Sequence, residues 1–217
     1  MKKSYIFVIF LFAVCFLLVA FFLNENIQQK SESISDIQRT EAMDALSMWL
    51  KQYKAFLEDR VSSEDKENKK FHHLTDYCNW VVPGETEDGI RYALFDMTGD
   101  GMPELHVLTD ISYTIHTIEN YQLVEWYHAD RYNRPLNNGM ILQNGASESG
   151  GDSYIVLDSN GMEVSCVWFG KNGNDYRFST GGEEIKLSKN EWKKLKKPFL
   201  AIGSDKIIWK DINKLDF

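Results

Sequence analysis

The sequence predicts an α+β domain built mainly on an antiparallel β-sheet meander, carried behind an amino-terminal transmembrane helix. Three observations predict it. An uncharged apolar run fills residues 5–23, one amphipathic helical stretch ends near residue 60, and nine short β-branched and aromatic runs follow Gly89. The chain has 217 residues, 43% of them hydrophobic, which suits one domain of moderate size behind the anchor.

The anchor comes first. Lys2 and Lys3 precede the run, and its 19 residues would span about 28 Å as a helix, close to a hydrocarbon core of about 30 Å. The run ends in "VAFFLNENIQ", with bulky residues where a small-residue cleavage site belongs, so an uncleaved signal anchor is expected. Cys15 lies inside the run and follows Val14, which does not fit a lipoprotein cysteine. The two lysines should stay in the cytoplasm and the carboxyl-terminal domain should lie outside the cell. Residues 1–23 are thus the cytoplasmic tip and anchor, 24–33 ("NENIQQKSES") a polar stalk, and 34–217 an extracellular α+β domain.

A helix is expected over "SDIQRTEAMDALSMWLKQYKAFLEDR". Ala42, Leu46, Trp49, Tyr53 and Phe56 recur at spacings of four and three, and Leu50 and Leu57 widen that face. The stripe is too short for a secure coiled coil, so it should pack on the domain's own sheet. "VSSEDKENKKFHH" reads as a loop or a frayed helix end. The strand-like runs are "IRYALF", "ELHVLTD", "SYTIHTI", "YQLVEWYH", "GMILQN", "DSYIVLD", "MEVSCVWF", "DYRFS" and "EIKLS", with Asn-Gly and Gly-Gly turn signals among them. "LSKNEWKKLKKPFL" should form a helix with Ser188 and Glu191 at capping-box spacing, Trp192 and Leu195 on one side, and Pro198 ending it. "SDKIIWKDINKLDF" suggests a last short helix capped by Ser204.

Between the first two strand runs lies "FDMTGDGMPEL". With Asp96 as position one, Thr98 is three, Asp100 five, Met102 seven and Glu104 nine. Calcium takes six to eight hard oxygens from a tightly curled loop. Asp96, Asp100 and Glu104 can offer carboxylates, Thr98 a hydroxyl and Met102 its backbone carbonyl, while Gly101 permits the sharp turn. A helix-loop-helix calcium site needs a bidentate acid at position twelve, which is Val107 here, and the flanks are strand-like. The expectation is a structural calcium site, not a switch. The loop resembles the strand-loop-strand calcium site of FG-GAP, integrin-type propeller blades, although only one copy is visible. "YALFDMTGDGMPEL" and, more loosely, "YIVLDSNG" also resemble a group of exported or membrane-anchored proteins of Gram-positive bacteria, themselves uncharacterised. That resemblance implies an extracellular α+β domain with one calcium loop and no catalytic activity. Thr98 replaces the usual Asp or Asn and removes one charge.

The net charge of -8 and the lack of a basic stripe argue against nucleic acid as a partner. No zinc-type histidine spacing, P-loop, nucleophile elbow or dinucleotide glycine pattern occurs. Cys78 and Cys166 allow either one disulfide or two separate buried thiols. His106, His116 and His128 fall in expected strands and read as ordinary core or surface histidines. Trp80, Trp126, Trp168, Trp192 and Trp209 read as core, and "YHADRYNRPLNNG" as the better surface patch. The expected function is a membrane-anchored, calcium-stabilised binding module for a protein or carbohydrate ligand at the cell surface. The alternative is an extracellular hydrolase whose acids are distant in sequence.

Overall fold

The computed structural model describes residues 39–78, 89–144 and 151–215, so the apolar run 5–23, the stalk 24–33 and Trp80 lie outside them. Among the described residues no helix is long and apolar enough to cross a membrane. Two compact units divide the chain, Met1–Met48 and Trp49–Phe217. In the first, residues 39–48 are helical and largely exposed, Ala42 included.

The second unit opens with helical residues 49–57, here α1. The predicted stripe holds from Trp49 onward: Tyr53, Phe56 and Leu57 are buried, and Trp49 packs beside them. The helix stops in a left-handed residue, Asp59 (φ 57°), with the Arg60 amide donating to the Ala55 carbonyl (2.8 Å) and the Asp59 amide to Phe56 (2.9 Å).

Among the described residues thirteen strands follow: β1 Ser63–Asp65, β2 Phe71–His72, β3 Arg91–Phe95, β4 Glu104–Leu108, β5 Ser112–Glu119, β6 Gln122–Asp130, β7 Asn133–Pro135, β8 Ile141–Asn144, β9 Gly151–Leu157, β10 Glu163–Asn172, β11 Asp175–Ser179, β12 Ile185–Leu187 and β13 Lys210–Asp211. The fold is α+β and mainly antiparallel, as expected, but the meander forms two sheets. Their orders are β13-β3-β4-β5-β6-β1-β2 and β12-β11-β10-β9-β8-β7. Among the described residues the β1–β6 pair alone is parallel.

Side-chain alternation assigns the faces. Leu105 and Val107 of β4 meet Tyr53, Phe56, Leu57 and a 3-10 turn, Leu74–Tyr77. Tyr113 and Ile115 of β5 meet Ile141 and Ile155 of the second sheet. Leu142, Tyr154 and Phe169 meet Trp192 and Phe199 of α2, Lys189–Leu200. The layers therefore run helix, sheet, sheet, helix, and each sheet is covered on both faces.

Some expectations need correction. The loop expected over 61–73 contains the β1–β2 hairpin, because Asp65 Oδ1 accepts the Glu67 (2.8 Å) and Asn68 (3.2 Å) amides and folds the charged residues into a turn. The capping box of α2 forms as predicted, with Ser188 accepting from the Glu191 amide. Pro198 lies inside that helix and does not end it. Leu195 is 43% exposed, and Lys196 is buried in its place, paired with Asp152 and 4.5 Å from the Trp192 ring centre. Among the described residues no α-helix follows Ser204. Residues 210–211 form β13 on β3, and Asp211 caps a 3-10 turn, Ile212–Lys214. Cys78 and Cys166 are free thiols.

The β9–β10 turn is fixed by Asp158, whose Oδ1 accepts the Asn160 (2.8 Å) and Met162 (3.0 Å) amides. Gly161 there has φ 77°, and a Cβ would sit 2.6 Å from the Trp126 carbonyl. Gly173 has φ 58° with nothing near an added Cβ. Both Gly→Ala changes carry backbone strain of about 1–3 kcal/mol, but only Gly161→Ala adds the Trp126 collision. Chemical denaturation should show Gly161→Ala as the more damaging change. Equal losses would show that the turn does not bear on Trp126.

Candidate metal centre

The acidic stretch is the loop of the β3–β4 hairpin. Phe95 pairs with Glu104, so Asp96 leaves one strand directly opposite the start of the next. The positions read as one and nine of the motif are thereby brought together by strand register. Gly99 (φ 77°) and Gly101 (φ 90°) supply the two left-handed residues that curl the chain between them.

Loop amides hold the acids in place. Asp96 Oδ1 accepts from the Gly99 amide (2.7 Å) and Oδ2 from Gly101 (2.8 Å). Asp100 Oδ1 accepts from Met102 (2.8 Å) and Glu104 Oε2 from Met97 (2.8 Å). One ligating oxygen from each of Asp96, Asp100 and Glu104 falls within 4.8 Å of the others. The Thr98 hydroxyl joins them, donating within reach of Asp96 Oδ1 and Glu104 Oε1, both at 3.3 Å. Met102, expected to offer its carbonyl, donates its amide to Asp100 Oδ1. An ionised carboxylate offers about four lone-pair sites, so these bonds leave acceptor capacity for a cation.

The loop is braced on two sides. The Tyr53 hydroxyl of α1 donates to the Pro103 carbonyl (3.1 Å). On the other side Gly139 lies so close to Met97 that a Cβ would stand 2.3 Å from its carbonyl. Below the loop, His106 is fully buried, its Nε2 3.3 Å from the Phe95 carbonyl and its Nδ1 2.7 Å from the Tyr113 hydroxyl. The carbonyl can only accept, so Nε2 carries the proton and Nδ1 accepts from Tyr113. Val107, at position twelve, is buried in β4, which fits the absence of a helix-loop-helix cage.

The stretch 127–139, read as a surface patch, is divided. Arg131 and Tyr132 are exposed and stack (5.5 Å), whereas Asn133 and Leu136 are buried.

A second group of titratable residues was not legible in the sequence. It lies on the α1 side of β5 and β6. His116 there is buried between Ser63 Oγ (3.0 Å) and Thr114 Oγ1 (2.9 Å), and burial lowers it to about 3. The Tyr77 ring packs against His116 (5.7 Å) and His128 (5.4 Å). Glu125 Oε1 is 3.5 Å from His128 Nδ1. Residues three apart on a regular strand face opposite ways. Here the register passes from Ile115–Tyr127 to His116–Glu125, so Trp126 is an extra residue and the bulge returns Glu125 and His128 to one face.

Burial pushes the Glu104 carboxyl up to about 7, and the Asp100 and Asp96 charges add to that push, against the Met97 amide. A raised carboxyl takes up its proton in the native state first. Falling pH therefore stabilises the fold between about 7 and the ordinary 4.5. Burial lowers His106 to about 4, so below its ordinary 6.5 the unfolded chain protonates first and stability is lost. In chelator, Glu104→Gln should lose stability more steeply than the parent as pH falls from about 7 to 4.5. The expected difference is on the order of 3 kcal/mol. Parallel pH profiles would remove Glu104 from this account.

The chain matches no protein-family model, no curated protein and no solved structure.

Proposed function

We propose that the chain is a single-pass membrane protein whose carboxyl-terminal domain lies outside the cell and works as a binding or interaction module. On this reading one calcium ion in the 96–104 loop holds the domain together. Three converging carboxylates carry the reading: Asp96, Asp100 and Glu104 meet within 4.8 Å on a loop braced from both sides. Oxygen-only donors favour a hard cation over zinc or copper. The anchor rests on the uncharged residues 5–23 behind Lys2 and Lys3.

The ion's role is structural. The acids sit on a hairpin locked by β3–β4 pairing, with no pair of helices to open. At an affinity of about 0.1 mM and an external concentration of about 1 mM, binding adds about 1.4 kcal/mol. For a domain of this size that corresponds to a melting shift of about 3–6 °C.

Millimolar calcium should raise the melting temperature of the full-length chain in detergent by that amount over chelator. Asp100→Ala should abolish the rise. Identical melting curves with calcium and with chelator would sink the metal. For the orientation, an epitope after Phe217 should be reached by antibody on intact cells, and one before Lys2 only after permeabilisation. The reverse labelling would overturn the topology.

A further inference from the structure

Glycine is unfavourable inside a strand, because it packs nothing and loses the most backbone freedom. Yet Gly170 of β10 and Gly151 of β9 stand directly opposite each other. Neither has the left-handed φ that would call for glycine through the backbone. The reason lies above them. The Trp168 indole lies flat across the pair: a Cβ on Gly151 would stand 2.6 Å from its Cε2, and one on Gly170 would stand 2.5 Å from its Cζ2. The two glycines form a floor for a tryptophan.

Trp168, expected in the core, is half-buried and belongs to none of the three buried clusters. One face of the indole rests on the glycines, and the ring lines a shallow cleft of about 210 Å³. That is below the range of about 300–1,000 Å³ that encloses drug-sized ligands. The cleft has room for one flat ring laid on the indole.

The rim sets the chemistry. Arg177 pairs with Gly170 across the strands, so its side chain rises beside the indole. Its Nε and Nη2 donate to Asp175 Oδ2 (2.9 and 2.8 Å), and its Nη1 donates to Glu184 Oε2 (2.8 Å). A guanidinium carries five N–H donors, so two are left. On the cleft wall Lys171 and Arg177 balance Asp175 and Glu184. A charged ligand would have to compete with pairs already made, and the wall has no net charge to draw it. A hydroxyl both donates and accepts, so it joins such a network without breaking it. The indole face is negative and attracts the weakly positive C–H hydrogens of a ring. An uncharged ring with C–H groups on one face and hydroxyls around its edge is a pyranose.

We propose that Trp168 is the stacking platform of a carbohydrate site, with a pyranose face-on against the indole and its edge hydroxyls bonding Arg177, Glu184 and Asn172. The inference rests on the reading of the chain as a binding module and names its ligand class, but it is independent of the calcium loop.

The test uses the full-length chain in a detergent without a sugar headgroup, titrated with cellotetraose, mannotetraose and chitotetraose. Sorbitol supplies hydroxyls without a flat ring, and benzylammonium a flat ring with a charge. Tryptophan fluorescence and calorimetry follow binding. At least one oligosaccharide should saturate at millimolar concentrations, and sorbitol and benzylammonium should not. Trp168→Ala should weaken binding about tenfold or more, and Trp168→Phe, which keeps a ring, by less. Gly170→Ala keeps Trp168 but displaces its indole, so it should also weaken binding. The inference is overturned if no oligosaccharide saturates, if sorbitol or benzylammonium binds as well, or if folded Trp168→Ala binds like the parent. Should Trp168→Ala not fold, Arg177→Ala at the exposed rim takes its place, and parent-like binding there overturns the inference equally. Failure of all three sugars beside an intact calcium-induced melting shift and outside labelling would sink the carbohydrate alone. Sugar binding without that shift would sink the calcium loop alone.

Discussion

Strands β4 and β5 are buried on both faces, between α1 on one side and the second sheet on the other. Every polar side chain placed there must find a partner inside the protein, because water cannot reach it. Ser112 and Thr109 bond each other and the Tyr77 carbonyl. His116 spans Ser63 and Thr114, and His106 spans Phe95 and Tyr113. These bonds tie the β1 hairpin, the 3-10 turn and the end of β3 to the central strands. The two fully buried histidines are neutral hydrogen-bonding parts of the core, and a proton on either would disrupt the network it joins.

The same demand shapes both sites. Glu104 begins β4 with a side chain only 2% exposed, so its charge depends on the loop amides. Glu125 lies on the neighbouring β6 face under similar burial, and its carboxylate depends on His128 and the Tyr77 hydroxyl. Both acids occupy positions where an apolar residue would be cheaper for the fold. Neither is explained by packing alone.

What was legible in the sequence followed from local chemistry. Nine strands were readable because Gly, Asn and Asp punctuate them, and the α2 start because Ser188 and Glu191 stand three apart. The acidic loop was readable because all five residues fall within one nine-residue stretch and the hairpin preserves their order. Whatever depends on distant partners was not. β1 and β13 are too short to announce themselves and exist only through pairing with β6 and β3. The burial of Lys196 was not legible, because its partner Asp152 is 44 residues away. The Glu125–His128 pair was hidden twice, by sequence distance from Tyr77 and by a bulge that strict alternation cannot show.

The pairing of β13 with β3 also sets a timetable. Lys210 and Asp211 close the edge of the first sheet against Tyr92 and Arg91, more than a hundred residues earlier. A growing chain therefore cannot seal that edge until synthesis is nearly complete. Until then β3, and the loop that follows it, present open backbone groups to any neighbouring strand. The short carboxyl-terminal strand acts late, as the latch that removes an aggregation-prone edge.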